Sequence, residues 1–157
     1  MRIRFLLATL ALCALPGCEP MEDDADEAPV VVAPDSAVPG SLPFSPGVRA
    51  GDFLFLSGAI GNTPGTLELV SDDPAEQTAR ALENLRRVLR AGGADLGDVV
   101  KCTVFLADMA DYDAMNQAYA TVWPGSPPAR STVAGSGLAL GARVEIECTA
   151  YVGDGAD

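Results

Sequence analysis

The stretch that decides the fold spans residues 127–152 and reads PPARSTVAGSGLALGARVEIECTAYV. Its second half alternates. Val144, Ile146, Cys148, Ala150 and Val152 point one way, and Glu145, Glu147, Thr149 and Tyr151 point the other. That is the period of a strand with one packed face and one face free to carry chemistry. Its first half sets Arg130 after a proline pair and ahead of a β-branched segment containing Thr132 and Val133, so the arginine is expected at a strand start. A guanidinium there offers a planar fork of donors that matches a carboxylate bidentately. One arginine followed by two strand carboxylates can bind an anion and move a proton.

Upstream, residues 48–50 and 53–59 flank Gly51-Asp52 and read as a β-hairpin, with residues 67–70 as a further edge piece. Asp73, Pro74 and Glu76 form a helix start with an N-cap, a proline at the first helical position and an acid at the third. Leu82, Leu85 and Leu89 line one face of that helix until Gly92-Gly93 stops it. Residues 99–106 form an apolar, β-branched strand. Asp111 is placed to cap a second helix, in which Tyr112, Met115, Tyr119 and Val122 recur on one side until Pro124. The last strand is residues 143–152. The order β-β-α-β-α-β predicts an α+β domain, a mixed sheet with two helices on one face. The glycine-rich GSGLALG, residues 135–141, lacks the lysine and following helix of a phosphate loop and reads as a loop between strands.

Four segments, in order, resemble the Rid/YjgF family of reactive intermediate (imine/enamine) deaminases. They are PFSPGVRAGDFLFLSGAIG at 43–61, the helix-strand-helix run at 77–116, PPARSTV at 127–133 and VEIECTAYV at 144–152. The resemblance implies a YjgF-like, chorismate-mutase-like fold assembled as a homotrimer, with sheets meeting in the centre and active sites in the clefts between subunits. It implies that Arg130 binds the carboxylate of a small 2-imino acid and that Glu145 positions water and shuttles the proton. Ser57, Gly58 and Asn116 match positions that line or shape the family's pocket. Two positions depart from it. Phe44 stands where many deaminases have tyrosine, keeping the aromatic wall without its hydroxyl, and Thr132 stands where several have cysteine.

The N-terminus, MRIRFLLATLALCALPGC, has two arginines, an uncharged apolar run and a small residue before a cysteine. This is the layout of a secretory signal at residues 1–17, and the apolar run is about half the length a spanning helix needs. Leu15, Pro16, Gly17 and Cys18 resemble a lipobox, which would leave Cys18 as a lipidated N-terminus. An ordinary signal peptide cut nearby is the alternative. Residues 19–40 hold seven acids and no base. They are expected to stay out of the fold, as a self-repelling tether or as solubilising sequence, leaving residues 41–157 as the domain. The protein is thus expected outside the cytoplasm, facing the periplasm or cell surface, with membrane contact only through its lipid.

Without Arg2 and Arg4 the chain has eight basic against 22 acidic residues, and the domain itself has 15 acids against eight bases. The arginines are scattered, so nucleic acid is not an expected partner. Histidine is absent, which removes serine-histidine triads, histidine-ligated zinc and imidazole bases. No metal and no cofactor is expected. With Cys13 and Cys18 assigned to the N-terminus, Cys102 and Cys148 remain. Two buried thiols are the expected state, since a bridge needs a close, aligned strand pair, and a disulfide between them is the alternative that an oxidising compartment would permit. Glu147 is expected in an ion pair, Trp123 in packing at a helix end, and Met109 and Met115 in the core.

The function implied is hydrolysis of 2-iminopropanoate or 2-iminobutanoate to 2-oxo acid and ammonia. Outside the cytoplasm, the imine would come from an amino-acid oxidase or dehydrogenase. Two other classes of function use the same surfaces: a non-catalytic, trimeric envelope protein that binds small carboxylates in the cleft, and a structural envelope protein whose trimer matters more than its pocket. Arg130 serves deaminase and binder alike, whereas Glu145 with a placed water belongs only to the enzyme.

Overall fold

A computed structural model describes residues 28–34 and 42–153 of the chain. The expected signal segment, Cys18 and most of the acidic stretch lie outside the described residues. No helix among the described residues is long and apolar enough to cross a membrane.

Among the described residues, seven strands form one mixed sheet: β1 (Val30–Val32), β2 (Gly47–Ala50), β3 (Phe53–Leu56), β4 (Ala59–Ile60), β5 (Val99–Leu106), β6 (Ala129–Ala134) and β7 (Val144–Tyr151). Their order is β1-β2-β3-β7-β5-β6, and β4 pairs the other end of β7. Helices α1 (Pro74–Ala91) and α2 (Tyr112–Ala120) precede β5 and β6 respectively. The α+β architecture is the one expected, but the strand count is higher. Val30–Val32, read as part of the tether, instead pairs antiparallel with β2. Three consecutive valines suit a strand, and β2 offers them an open edge. The segment opened by Arg130 is a full strand, parallel to β5 and reached through α2. Residues 67–70 contribute a single bridge, Leu69 to Asn62.

The local expectations hold where the chemistry is local. Gly51 takes the left-handed conformation (φ 54°) that the two-residue hairpin turn between Ala50 and Phe53 needs. Asp73 accepts hydrogen bonds from the Ala75 and Glu76 amides, Pro74 opens α1, and Gly92 caps its end. The α2 entry differs. Asp111 makes no cap bond; its buried carboxylate instead receives Arg143 Nε at 2.8 Å. Asp108 caps the short turn before it, accepting from the Ala110 amide.

Leu82, Leu85 and Leu89 of α1 and Met115 of α2 pack with Leu54, Val104 and Ile146 of the sheet into one core. Met109, expected there, is exposed. Trp123 packs at the end of α2 with its ring 5.0 Å from that of Tyr119. Gln77 is fully buried at the start of α1, where Nε2 donates to Ser71 O at 2.7 Å and Oε1 accepts from the Arg143 amide at 2.8 Å. It ties helix to sheet. β4 passes so close above it that a Cβ on Gly61 would lie 2.5 Å from Gln77 Cα.

Cys102 and Cys148 do not remain thiols. They are direct partners across β5 and β7 and are joined in a disulfide, 46 residues apart in sequence. The strand pairing supplies the alignment that composition could not reveal. The sheet face away from the helices carries Phe53, Phe55 and Tyr151, with Phe53 and Tyr151 rings 5.4 Å apart. All three, and Val133 of β6, are substantially exposed.

Candidate active site

The site residues named from the sequence fall into two groups. The first surrounds a cavity of about 290 Å³ at the sheet edge, lined by Phe44, Ser57, Gly58, Leu85, Val88 and Glu145 among others. The break between β3 and β4, residues 57–58, leaves room for Glu145. A Cβ on Gly58 would collide with the Glu145 carboxylate, so only glycine admits that side chain there. Ser57, beside Gly58, lines the same cavity. Its hydroxyl donates to Ser45 O at 2.7 Å and its amide to Pro46 O at 3.0 Å, which fixes the turn carrying Phe44. Glu145 holds its proton more tightly than an ordinary carboxyl, first because it is partly buried and second because Glu147 adds a like charge. Glu147 itself is exposed and makes no ion pair among the described residues.

The second group lies on β6 and α2. Arg130 Nη2 donates to Asn116 Oδ1 at 2.7 Å and weakly to the Tyr112 hydroxyl at 3.4 Å. Its guanidinium carbon sits 4.6 Å from the Tyr119 ring centre. Burial pushes the Tyr119 phenol up to about 12, against the opposing effect of Arg130, so the ring beneath the cation is neutral and the contact is cation–π. Asn116 and the two tyrosines thus aim the arginine and leave its other N–H groups for a ligand. Thr132, two residues along β6, shares the arginine's face and has a buried hydroxyl without a partner among the described residues.

The register keeps the groups apart. Arg130 is opposite Cys102, and Cys102 is opposite Cys148, so all three share the helix-covered face. Glu145 is three residues from Cys148 on β7, hence on the other face. Two strand spacings and three residues separate their Cα atoms by ~14 Å. Within one chain Arg130, Asn116 and Thr132 do not meet Phe44, Ser57, Gly58 and Glu145.

A family model described as Endoribonuclease L-PSP matches residues 35–152. The chain belongs to the L-PSP, or Rid/YjgF, family. The match begins six residues before the domain start expected from the acidic tract.

Among its Rid relatives, the Arabidopsis thaliana chloroplastic Reactive Intermediate Deaminase A is 42% identical over 120 residues, which are 76% of this chain and 64% of that protein. A Mus musculus 2-iminobutanoate/2-iminopropanoate deaminase is 40% identical over 111 residues, 71% of this chain and 82% of that one. The structure of E. coli TdcF with bound serine superposes with a TM-score of 0.73 at 30% identity, covering 78% of this chain and 98% of TdcF.

The sequence pattern does not mark Tyr112, Tyr119 and Asn84 as site residues. The two tyrosines carried a helical repeat that reads equally well as core. Asn84, on α1, donates to Ile60 O at 3.1 Å and Asn62 O at 3.0 Å and so braces the cavity wall. A polar residue at a core-facing α1 position was the available signal.

Proposed function

We propose that copies of this chain assemble to complete an active site that hydrolyses small reactive 2-imino acids and their enamine tautomers to 2-oxo acid and ammonia. The observation that carries the reading is the placement of Arg130 and Glu145 on opposite faces of one sheet. On this reading the substrate lies between Glu145, Ser57, Gly58 and Phe44 of one copy and Arg130, Asn116 and Thr132 contributed by the next. The exposed Phe53, Phe55, Tyr151 and Val133 support such an assembly, since a neighbouring copy would cover them. A homotrimer is the form proposed. Deaminase names among the Rid relatives support the reaction class.

Arg130 grips the substrate carboxylate. A water beside Glu145 attacks the imine carbon while Glu145 accepts its proton and returns it to nitrogen, giving a carbinolamine; Glu145 then carries the hydroxyl proton to nitrogen, the C–N bond breaks with release of ammonia, and the C–O bond becomes C=O. A carboxyl with raised proton affinity suits a group that must both take and return a proton. No cofactor enters this scheme. The acidic balance of the domain argues against a nucleic-acid partner, notwithstanding the endoribonuclease description of the family.

We propose also that the domain is exported and tethered by lipid on Cys18. The disulfide supports an oxidising compartment.

The test is release of ammonia and 2-oxo acid from 2-iminopropanoate generated in situ. Wild type, Arg130→Ala, Glu145→Gln and a co-refolded mixture of the two variants are compared. Each variant alone is expected to lose the acceleration and the mixture to regain part of it, since one copy's intact Glu145 then faces the other's intact Arg130. A folded wild-type oligomer no faster than buffer would overturn the deaminase reading in favour of carboxylate binding. An inactive mixture beside an active wild type would overturn the shared site.

A further inference from the structure

The cavity beside Glu145 is larger than the smallest 2-imino acid needs. Its roughly 290 Å³ corresponds to on the order of ten water-sized atoms, whereas 2-iminopropanoate has about six heavy atoms in all. The carboxylate and imine nitrogen of any 2-imino acid belong at the Arg130 and Glu145 end, so most of the cavity is left for a side chain.

The chemistry of its wall is one-sided. Phe44, Pro46, Leu67, Leu85, Val88 and Leu140 supply apolar surface from the turn before β2, the β4–α1 connection, α1 and the loop before β7. The polar side chains there are already engaged within the chain. Asn84 bonds to Ile60 and Asn62, Asn62 Nδ2 donates to Thr66 O at 2.7 Å, and Ser57 bonds to Ser45. Of the polar side chains lining the cavity, only Glu145 makes no hydrogen bond among the described residues. A hydroxyl or amide on the substrate side chain would give up its water for few partners there, since the Asn84 and Asn62 amide N–H groups and the Ser57 hydroxyl proton are already committed.

Leu140 is the least ordinary part of this wall. It is 53% exposed, yet it adopts a left-handed conformation (φ 57°) that residues with a Cβ seldom take. Gly137 and Gly141 on either side also have positive φ (145° and 73°). The loop thus turns sharply and sets a leucine, instead of a glycine or asparagine, at the point of strain over the cavity. Strain at a cavity rim is a common mark of a functional constraint.

We infer, building on the deaminase reading, that the substrate side chain occupies this cavity. Leu140 and Leu67 then select 2-imino acids with an aliphatic side chain of about four carbons, as on 4-methyl-2-iminopentanoate, over those bearing a methyl group. The longer side chain reaches the α1 wall and the two rim leucines, while a methyl group reaches neither.

The experiment generates both imines in situ, from leucine and from alanine, with an L-amino-acid oxidase, and follows 2-oxo acid release by the oligomeric, disulfide-bonded protein. The expected kcat/KM ratio favours the leucine-derived imine by about tenfold or more. Leu140→Lys and Leu67→Lys, both at exposed positions, are each expected to lower that ratio at least several-fold by placing a charge where the longer chain packs. A wild-type ratio at or below unity, or a ratio that neither variant moves, would overturn the inference while leaving the deaminase reading intact. Hydrolysis of neither imine would overturn both.

Discussion

The Cys102–Cys148 bridge closes a loop with a sequence separation of 46 and ties β5 to β7 in the middle of the sheet. Cutting it restores freedom to the unfolded chain. The loop-entropy relation gives about 14 cal/mol/K for a loop of this size, or about 4 kcal/mol at room temperature. That is a large share of the ~5–15 kcal/mol that keeps a domain folded. The chain starting at Glu19 holds only these two cysteines and a single tryptophan, Trp123, whose packed ring reports unfolding. Oxidised protein, and protein reduced in urea and refolded with a phosphine reductant, would be unfolded in urea at one protein concentration, because subunit association adds its own stability. The oxidised form is expected to unfold at a midpoint about 2 M higher in urea. Superimposable curves would refute the entropic argument, and two titratable thiols in the native, never-reduced protein would refute the bridge itself.

Three further outcomes follow from the site and its supports. If ionised Glu145 is the base, kcat/KM rises with pH through a pKa above the ordinary carboxyl value, and Glu147→Gln moves that limb to lower pH by removing the second cause of the shift. Because the folded state holds this proton more tightly than the unfolded chain, the same group's contribution to stability is full below the ordinary value of 4.5 and declines as pH rises through the raised one. A limb unmoved by Glu147→Gln would contradict the assignment. Gly58→Ala, whose new Cβ would displace the Glu145 carboxylate, is expected to cut kcat by about a hundredfold or more while circular dichroism shows the fold retained; full activity would exclude Glu145 from the chemistry. Tyr119→Phe removes a buried hydroxyl that has no hydrogen-bond partner among the described residues, and is expected to leave stability unchanged or raise it by about 1 kcal/mol in urea unfolding. A marked loss would mean that the hydroxyl is bonded in the assembled protein.

Some of this protein is decided by neighbours in sequence. The Asp73-Pro74 start and Gly92 end of α1, the Gly51-Asp52 turn and the two faces of β7 depend on interactions within a few residues, where residue type alone restricts the backbone. The order of helices and main strands follows from those pieces, and the spaced segments around Ser57, Arg130 and Glu145 were enough to place the family. Other features depend on which distant segments meet. Three valines in an acidic tract became a strand because β2 had an open edge. Asp111 forwent its cap because Arg143 arrived from 32 residues away. Cys102 and Cys148 joined because the β5–β7 register made them direct partners. The division of the candidate site is of the same kind. Arg130 and Glu145 lie close along the chain, yet two strand spacings and an odd offset in the ladder put them on opposite faces. Side-chain alternation within a strand is a local rule, whereas register between strands is set by the packing of the whole sheet, and that packing separates the arginine from the carboxylate within each chain.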